Sequence, residues 1–304
     1  MTNKEKYKFL CETEGAGIPL FLQYWWWEAV CRDKRWDVLL AERRGRVCGA
    51  WPHLCGRKLG LRYVLQPQMT MFSGPWLADG ADGDVLDEML LRFAARRDAV
   101  AMVRCAPSFG GAEAFVRHGW RETERHSFRF ERLLPLQELM TGASQLRRRD
   151  FGRNAERLTL DWAVPPAEMA ALHDSQYRRQ GQRDLLHTDF MTHVAAEAVA
   201  HGNGVVAGVR DGNGVLHAAV FVAYDSRCAY LLLLARGAEA PRNAMAYLVW
   251  RTVEWLTPRT QMFDFEGGAE EGVGEYYRSF GAQPVAFKQF TRCRLPLADK
   301  ILGL

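Results

Sequence analysis

One pattern recurs along this chain and narrows its fold more than any other feature. The order helix, apolar strand, short helix, glycine stop, alternating strand occurs twice, closing with AFVRHGWRETERHSFRF in the first half and EYYRSFGAQPVAFKQF in the second. Direct identity between the two endings is slight, so the order of elements carries the repeat. A length of 304 residues corresponds to about two domains of ~150 residues. The expectation is an α/β chain with mixed sheets, built as two copies of one architecture. The first copy spans 1–132, a connector with a basic helix spans 133–157, and the second copy spans 158–304.

The elements behind this division follow from periodicity and turn chemistry. In the first half, PLFLQYWWWEAVC (19–31) reads as a helix opened by Pro19. Strands are expected at Trp36–Glu42, Arg46–His53 and Leu61–Gln66. Asp84–Arg97 is a helix with an apolar stripe, Ala99–Cys105 a buried strand, Gly111–His118 a short helix stopped by Gly119, and Trp120–Glu131 an alternating strand. In the second half, strand Thr159–Val164 precedes helices Pro166–Gln180 and Thr188–His201. Val205–Arg210 and Val215–Tyr224 flank Asp-Gly-Asn-Gly, a strong hairpin signal. Cys228–Ala235, the helix Arg242–Leu256, the strand Met262–Glu266, the helix Glu270–Phe280 with its stop at Gly281, and Val285–Arg292 complete the order.

Composition removes several classes. With 48% hydrophobic and 12% aromatic residues the chain has ample surface to bury and is not disordered. No window approaches the ~18 apolar residues of a membrane span, and MTNKEKYKFLCETEG lacks the apolar core of a signal peptide, so a cytoplasmic location is expected. Seven scattered cysteines without a CxxC pair read as free thiols. Cys48, His53 and Cys55 alternate along a strand, and the eight histidines show no HxxxH or HExxH spacing, so no metal is expected. Lys and Arg outnumber Asp and Glu by 40 to 36, and to Phe130 the count is already 20 to 16, so the net +4 lies in the first half. That excess is too small for a dedicated nucleic-acid binder. Trp25, Trp26 and Trp27 turn through ~200° of helix and cannot share one face, so at least one should reach an interface, a cleft or solvent.

Two clusters carry candidate chemistry. Asp264 and Glu266 lie two apart in MFDFEGG, so on a continuous strand both point to one face and can raise one another's pKa. A carboxylate raised in this way suits the deprotonation of an ammonium substrate, with Glu266 nearer the opening. A solvated strand end in which Glu266 caps the next turn is the structural alternative. Arg149, Arg153 and Arg157 share one helical face, either as a phosphate-binding stripe or as a solvated one.

The segment FDFEGGAEEGVGEYYRSFGA resembles the C-terminal signature of FemABX-like proteins, which are similar to two fused GNAT (Gcn5-related N-acetyltransferase) folds. The basic run Arg147–Leu160 and FSGPWL at 72–77 add weaker support. The resemblance extends over the whole chain in element order and is specific over 262–281. It implies two tandem GNAT-like domains, an acyltransferase activity toward an amine, and an acyl donor held by the second domain.

GNAT proteins commonly carry a tyrosine four residues before the glycine that closes the late helix. Tyr277 holds that place before Gly281, whereas Phe115 holds it before Gly119. The resemblance thus implies that Tyr277 protonates the leaving group and that the first copy has lost this hydroxyl; a packing role for Tyr276 and Tyr277 is the alternative. By element order, a main-chain N–H of Val215–Tyr224 would steady the oxyanion. The donor's phosphates would meet ARGAEAPRNAMAYL, where Arg236, Arg242 and Asn243 are the candidates. The Gly-rich loop of acetyl-CoA users is absent there. The donor is therefore either acetyl-CoA or another acyl-CoA, serving a small-molecule amine, or an aminoacyl-tRNA serving a peptidoglycan-precursor amine. A catalytically silent binding protein is the third possibility.

Overall fold

A computed structural model of the protein describes residues 1–81, 83–154, 158–182, 185–268 and 272–295, with 153 and 154 described by backbone alone. It divides into two compact units: Met1–Arg125 with Ala286–Leu304, and His126–Val285.

The first unit opens with α1 (Asn3–Glu14), which the sequence reading did not assign. Its signal is a capping box: Thr2 Oγ1 accepts the Glu5 N–H at 3.3 Å and the Glu5 carboxylate accepts the Thr2 N–H at 2.6 Å. The helix expected over 19–31 is broken at Gln23, whose backbone is extended, so a 3₁₀ turn (Leu20–Leu22) precedes α2 (Tyr24–Val30). Trp26 and Trp27 are wholly buried and donate to Thr70 Oγ1 and the Phe21 carbonyl, each at 2.9 Å; Trp25 is half-buried. Then follow β1 (Arg35–Arg43), β2 (Arg46–Lys58), β3 (Leu61–Leu65), β4 (Trp76–Leu77), α3 (Gly83–Ala95), β5 (Val100–Cys105), α4 (Ala112–Arg117) and β6 (Arg121–Phe130).

In this unit β1, β2 and β3 form an antiparallel meander, and β3 runs parallel to β5. Such a parallel step needs a crossover, and α3 supplies it by packing Val85, Met89, Leu90 and Phe93 on the sheet.

Of Cys48, His53 and Cys55, Cys48 packs against this core, His53 is buried, and Cys55 is half-buried. Cys48 Sγ lies against the Ala41 carbonyl, and among the described residues no group of metal-ligating side chains assembles. His53 is 2% exposed, with Nδ1 at 3.0 Å from the Trp51 carbonyl oxygen. Burial, helped by the nearby Arg96, holds its imidazole down at about 4. An unfolded histidine titrates near ~6.5, so the folded form favours the neutral ring. The resulting stability is present above that pH and lost as pH falls toward 4, on the order of 3 kcal/mol in all. Denaturant titrations at pH 7 and pH 4.5 should reveal this loss, and His53→Leu should flatten it. An equal loss in the variant would remove His53 as the cause.

The second unit comprises α5 (Leu136–Thr141), α6 (Gln145–Asn154), β7 (Thr159–Asp161), α7 (Pro166–Arg179), α8 (Thr188–Ala200), β8 (Gly204–Arg210), β9 (Leu216–Tyr224), β10 (Cys228–Arg236), α9 (Ala244–Leu256), β11 (Met262–Asp264) and α10 (Val273–Arg278). The segment expected as a connector is packed into this unit. Leu133 and Ala143 are core residues, and Ser144 N–H donates to the Ser279 carbonyl at 2.9 Å. The contact division therefore falls at Arg125/His126, not within 133–157. The Asp-Gly-Asn-Gly hairpin forms as expected: Asp211 Oδ1 accepts the Asn213 and Val215 N–H groups at 2.9 and 3.0 Å. β7, β8, β9 and β10 are antiparallel, and β10 runs parallel to β11 through the crossover α9.

The two units thus repeat one order, and both expected glycine stops have positive φ, +75° at Gly119 and +92° at Gly281. Gly281 is also sterically required, since a Cβ there would fall 2.9 Å from the Gly142 carbonyl carbon. The repeat departs from a simple tandem in one respect: the closing strands are exchanged. Phe130 and Arg129 of β6 pair antiparallel with β11 of the second unit. The final strand β12 (Gln283–Cys293) pairs antiparallel with β5 of the first unit.

Candidate functional site

The second unit opens a wedge between β10 and β11. These strands pair from Cys228 with Met262 to Tyr230 with Asp264, and there β11 ends. β10 continues six residues to Arg236 without that neighbour, and its register on β9 shifts between Leu231 and Leu233. The wedge side of β10 beyond Tyr230 therefore offers main-chain groups to a ligand. The sequence points to a main-chain N–H of Val215–Tyr224 as the oxyanion donor, but β9 pairs on both sides, with β8 and with β10, so its main-chain groups are engaged within the sheet.

A pocket of about 400 Å³ lies at the open end. Leu234 and Arg236 of β10, Arg242 and Asn243 at the start of α9, Arg147 and Asp150 of α6, and Tyr276 of α10 line it. All three residues expected to meet the donor's phosphates are thus brought together. Arg236 is braced: its N–H donates to Gln176 Oε1 at 2.7 Å and its guanidinium to the Ala240 carbonyl at 2.9 Å. Arg242 is exposed, and among the described residues no carboxylate meets it. Asn243 makes no side-chain cap, so the first N–H groups of α9 are left uncapped by it.

The neighbouring wall carries an ion pair that the sequence reading missed. Arg147 donates to Asp150 Oδ2 at 3.0 Å and to Ser279 Oγ at 2.8 Å, and its guanidinium stacks 4.7 Å from the Tyr276 ring centroid. The sequence groups Arg149 with Arg153 and Arg157 on one helical face. Arg149 is exposed, while the Arg153 side chain and Arg157 lie outside the described residues. The pair at 147 and 150 was legible as an i, i+3 couple in QLRRRDFGRN.

Adjacent tyrosines of α10 face different ways. Tyr277 is 5% exposed and packs in the core, 4.7 Å from the Phe265 ring and 6.2 Å from Phe128. It does not line the pocket. Tyr276 does, and its hydroxyl is buried with no hydrogen-bond partner among the described residues. Burial pushes that phenol up to about 12; Arg147 and Arg236 pull it down and Asp150 raises it. A buried phenol with an unmet hydroxyl is costly unless a ligand completes it.

The carboxylates also part company. Because β11 ends at Asp264, the alternation expected over 262–266 stops there, and Glu266 takes a φ of +50°. Asp264 is fully buried and accepts from Arg129 Nε at 2.9 Å and its terminal nitrogen at 2.8 Å, from Ser127 Oγ, and from the Glu266 N–H at 2.8 Å. Burial pushes its carboxyl up, against the pull of Arg129, Ser127 and the Glu266 amide. Four donors leave it no free face for a substrate, so Asp264 anchors the turn carrying Glu266. Glu266 is half-buried on that turn, outside the pocket lining.

Residues 143–278 match the model of the acetyltransferase (GNAT) domain family. No curated protein matches the sequence. Among solved structures, FemX superposes with a TM-score of 0.73 at 11% identity, covering 95% of this chain and 96% of that one. The C-terminal domain of a putative lysylphosphatidylglycerol synthetase from Agrobacterium fabrum gives 0.64 at 14% identity, covering 99% and 94%. A tandem GNAT protein from the clavulanic acid biosynthesis pathway gives 0.54 at 14%, covering 95% and 93%. Among the described residues no helix is long and apolar enough to cross a membrane. Residues 143–278, most of the second unit, thus match the acetyltransferase (GNAT) domain, and the chain as a whole shares its fold with FemX and with a tandem GNAT protein.

Proposed function

We propose that the second unit holds an acyl-CoA, with acetyl-CoA as the simplest case, in the β10/β11 wedge and transfers the acyl group to an amine. The observation that carries this reading is that Tyr276, whose buried hydroxyl has no hydrogen-bond partner among the described residues, lines the same pocket as Arg236 and Arg242. The arginines and the start of α9 bind the donor's phosphates. A main-chain N–H of β10 beyond Tyr230 steadies the oxyanion as the amine adds to the thioester carbonyl. Glu266, or a water it orients, takes the proton from the amine. When the tetrahedral adduct collapses, the C–S bond breaks and Tyr276 protonates the departing thiolate. The seven free cysteines support a reducing, cytoplasmic setting.

A second reading keeps the chemistry and changes the donor to an aminoacyl-tRNA, with a peptidoglycan-precursor amine as acceptor. The segment between β10 and α9, RGAEAPRN, favours it by lacking the glycine-rich turn that cradles a diphosphate. The fold shared with FemX and with a lysylphosphatidylglycerol synthetase domain agrees with it.

Ligand-induced stabilisation separates the two. Acetyl-CoA at ~100 times its dissociation constant should add ~2.7 kcal/mol to unfolding stability. Arg242→Ala should weaken its binding by about tenfold, the loss of one charge-assisted contact. Stabilisation by aminoacyl-tRNA with none from any acyl-CoA would establish the second reading. No response to either donor would point to a silent relative.

A further inference from the structure

The first unit carries an arginine-lined pocket that the acyl-transfer reading does not use. It has a volume of about 720 Å³ and lies where the start of β1, the end of β2, the start of β3 and the end of α3 converge. Arg35, Arg57, Arg62 and Arg96 line it, against Asp37 and Asp98. Arg57 and Arg62 also form the wall of an adjoining hollow that adds Arg97 and Arg294. Six guanidinium groups therefore face two carboxylates, an excess of four positive charges in a chain whose whole net charge is +4.

One of the two carboxylates is already engaged by arginines, while Asp37 Oδ1 accepts the Val38 N–H at 2.8 Å. Asp98 is held by Arg96 at 3.0 Å and Arg62 at 3.4 Å. Arg35, Arg57, Arg97 and Arg294 meet no carboxylate among the described residues. Crowding is felt nearby: burial and the charge of Arg294 hold the neighbouring Arg292 below its ordinary value. The pocket is also shaped by a fixed wall. A Cβ at Gly56 would fall 2.1 Å from the Tyr63 ring, so the absence of a side chain at Gly56 admits the ring beside the arginines. Uncompensated like charge at a concave site is unfavourable until an anion joins it, and guanidinium forks match phosphate oxygens bidentately.

We propose that this pocket binds a multiply charged phosphate group, such as a diphosphate or a phosphomonoester, at a site separate from the acyl-donor pocket. Arg35 and Arg57 are the principal contacts, with Arg62 and Arg96 held in place by Asp98. The phosphate is borne either by a soluble molecule or by a lipid headgroup.

Inorganic pyrophosphate is the direct probe, measured by calorimetry on the full chain at low salt. An Arg236→Ala/Arg242→Ala background silences the pocket of the second unit. Binding is expected there, and Arg35→Ala or Arg57→Ala should each weaken it about tenfold while leaving the thermal unfolding midpoint unchanged. Co-sedimentation with phosphatidylcholine vesicles containing phosphatidic acid, absent with phosphatidylcholine alone and lost in the same variants, upholds the site with a lipid-borne phosphate. Pyrophosphate binding without such co-sedimentation upholds it with a soluble one. No pyrophosphate binding, binding unaffected by both substitutions, or binding of RNA alone would overturn the proposal.

Discussion

Replacing Asp264 with Ala is expected to destabilise the second unit by about 3–5 kcal/mol, the usual cost of leaving one member of a buried ion pair without its partner. Arg129 is 6% exposed, and apart from Asp264 its nearest carboxylate is that of Glu131, at 4.0 Å. The substitution also strands Ser127 Oγ and frees the Glu266 N–H, so the turn after β11 loses its anchor. A domain is stable by only about 5–15 kcal/mol, so a shift of this size should be evident in denaturant unfolding followed by intrinsic fluorescence. Replacing both charges, as Arg129→Met with Asp264→Leu, should recover much of the loss, because the desolvation cost leaves with the pair. A double variant no more stable than Asp264→Ala would mean that the hydrogen bonds to Ser127 and Glu266, not the charge, hold the strand end.

The second large effect is catalytic. Tyr276→Phe removes the buried hydroxyl and little else, so donor binding should change by less than about threefold while kcat falls ~100-fold, the scale of a lost general acid. The readout is thiol released from acetyl-CoA in the presence of an accepted amine. The phenol sits at about 12 and is protonated throughout the neutral range, so the wild-type rate should show no downward limb from Tyr276 below pH 10. Tyr277→Phe provides the contrast. Phenylalanine keeps the ring packed against Phe265 and Phe128, so both stability and kcat should stay near the wild-type values. The reverse ranking of the two variants would return the role to Tyr277.

These two residues also mark where sequence reasoning holds and where it stops. Element order was legible because apolar stripes, the Asp-Gly-Asn-Gly turn and the glycine stops at 119 and 281 are local signals. That Arg236, Arg242 and Asn243 would gather at one place was legible for the same reason, since they flank the start of one helix, and they do line one pocket. Asp264 was not. Its burial depends on Ser127 and Arg129, 137 and 135 residues away, and no period in MFDFEGG encodes them. The period-two reading also assumed that the strand ran on to Glu266, whereas positive φ angles at Glu266, Gly267 and Gly268 end it. Tyr276 and Tyr277 differ by one position, about 100° of helix, and that rotation decides between pocket and core.

The exchanged closing strands bear on how this polypeptide matures as it is synthesised. The first unit has its first five strands within the first 105 residues, but the strand that covers the free edge of β5 is not made until residues 288–293. During elongation that edge stays unpaired until residues 288–293 have been made. The second unit takes its borrowed strand from β6, which has already been translated, and so can close first. A nascent chain arrested just before Ala286 should therefore protect α9 and β9 from protease while leaving the β5 region open to cleavage. The unit that begins the chain is the last to be sealed.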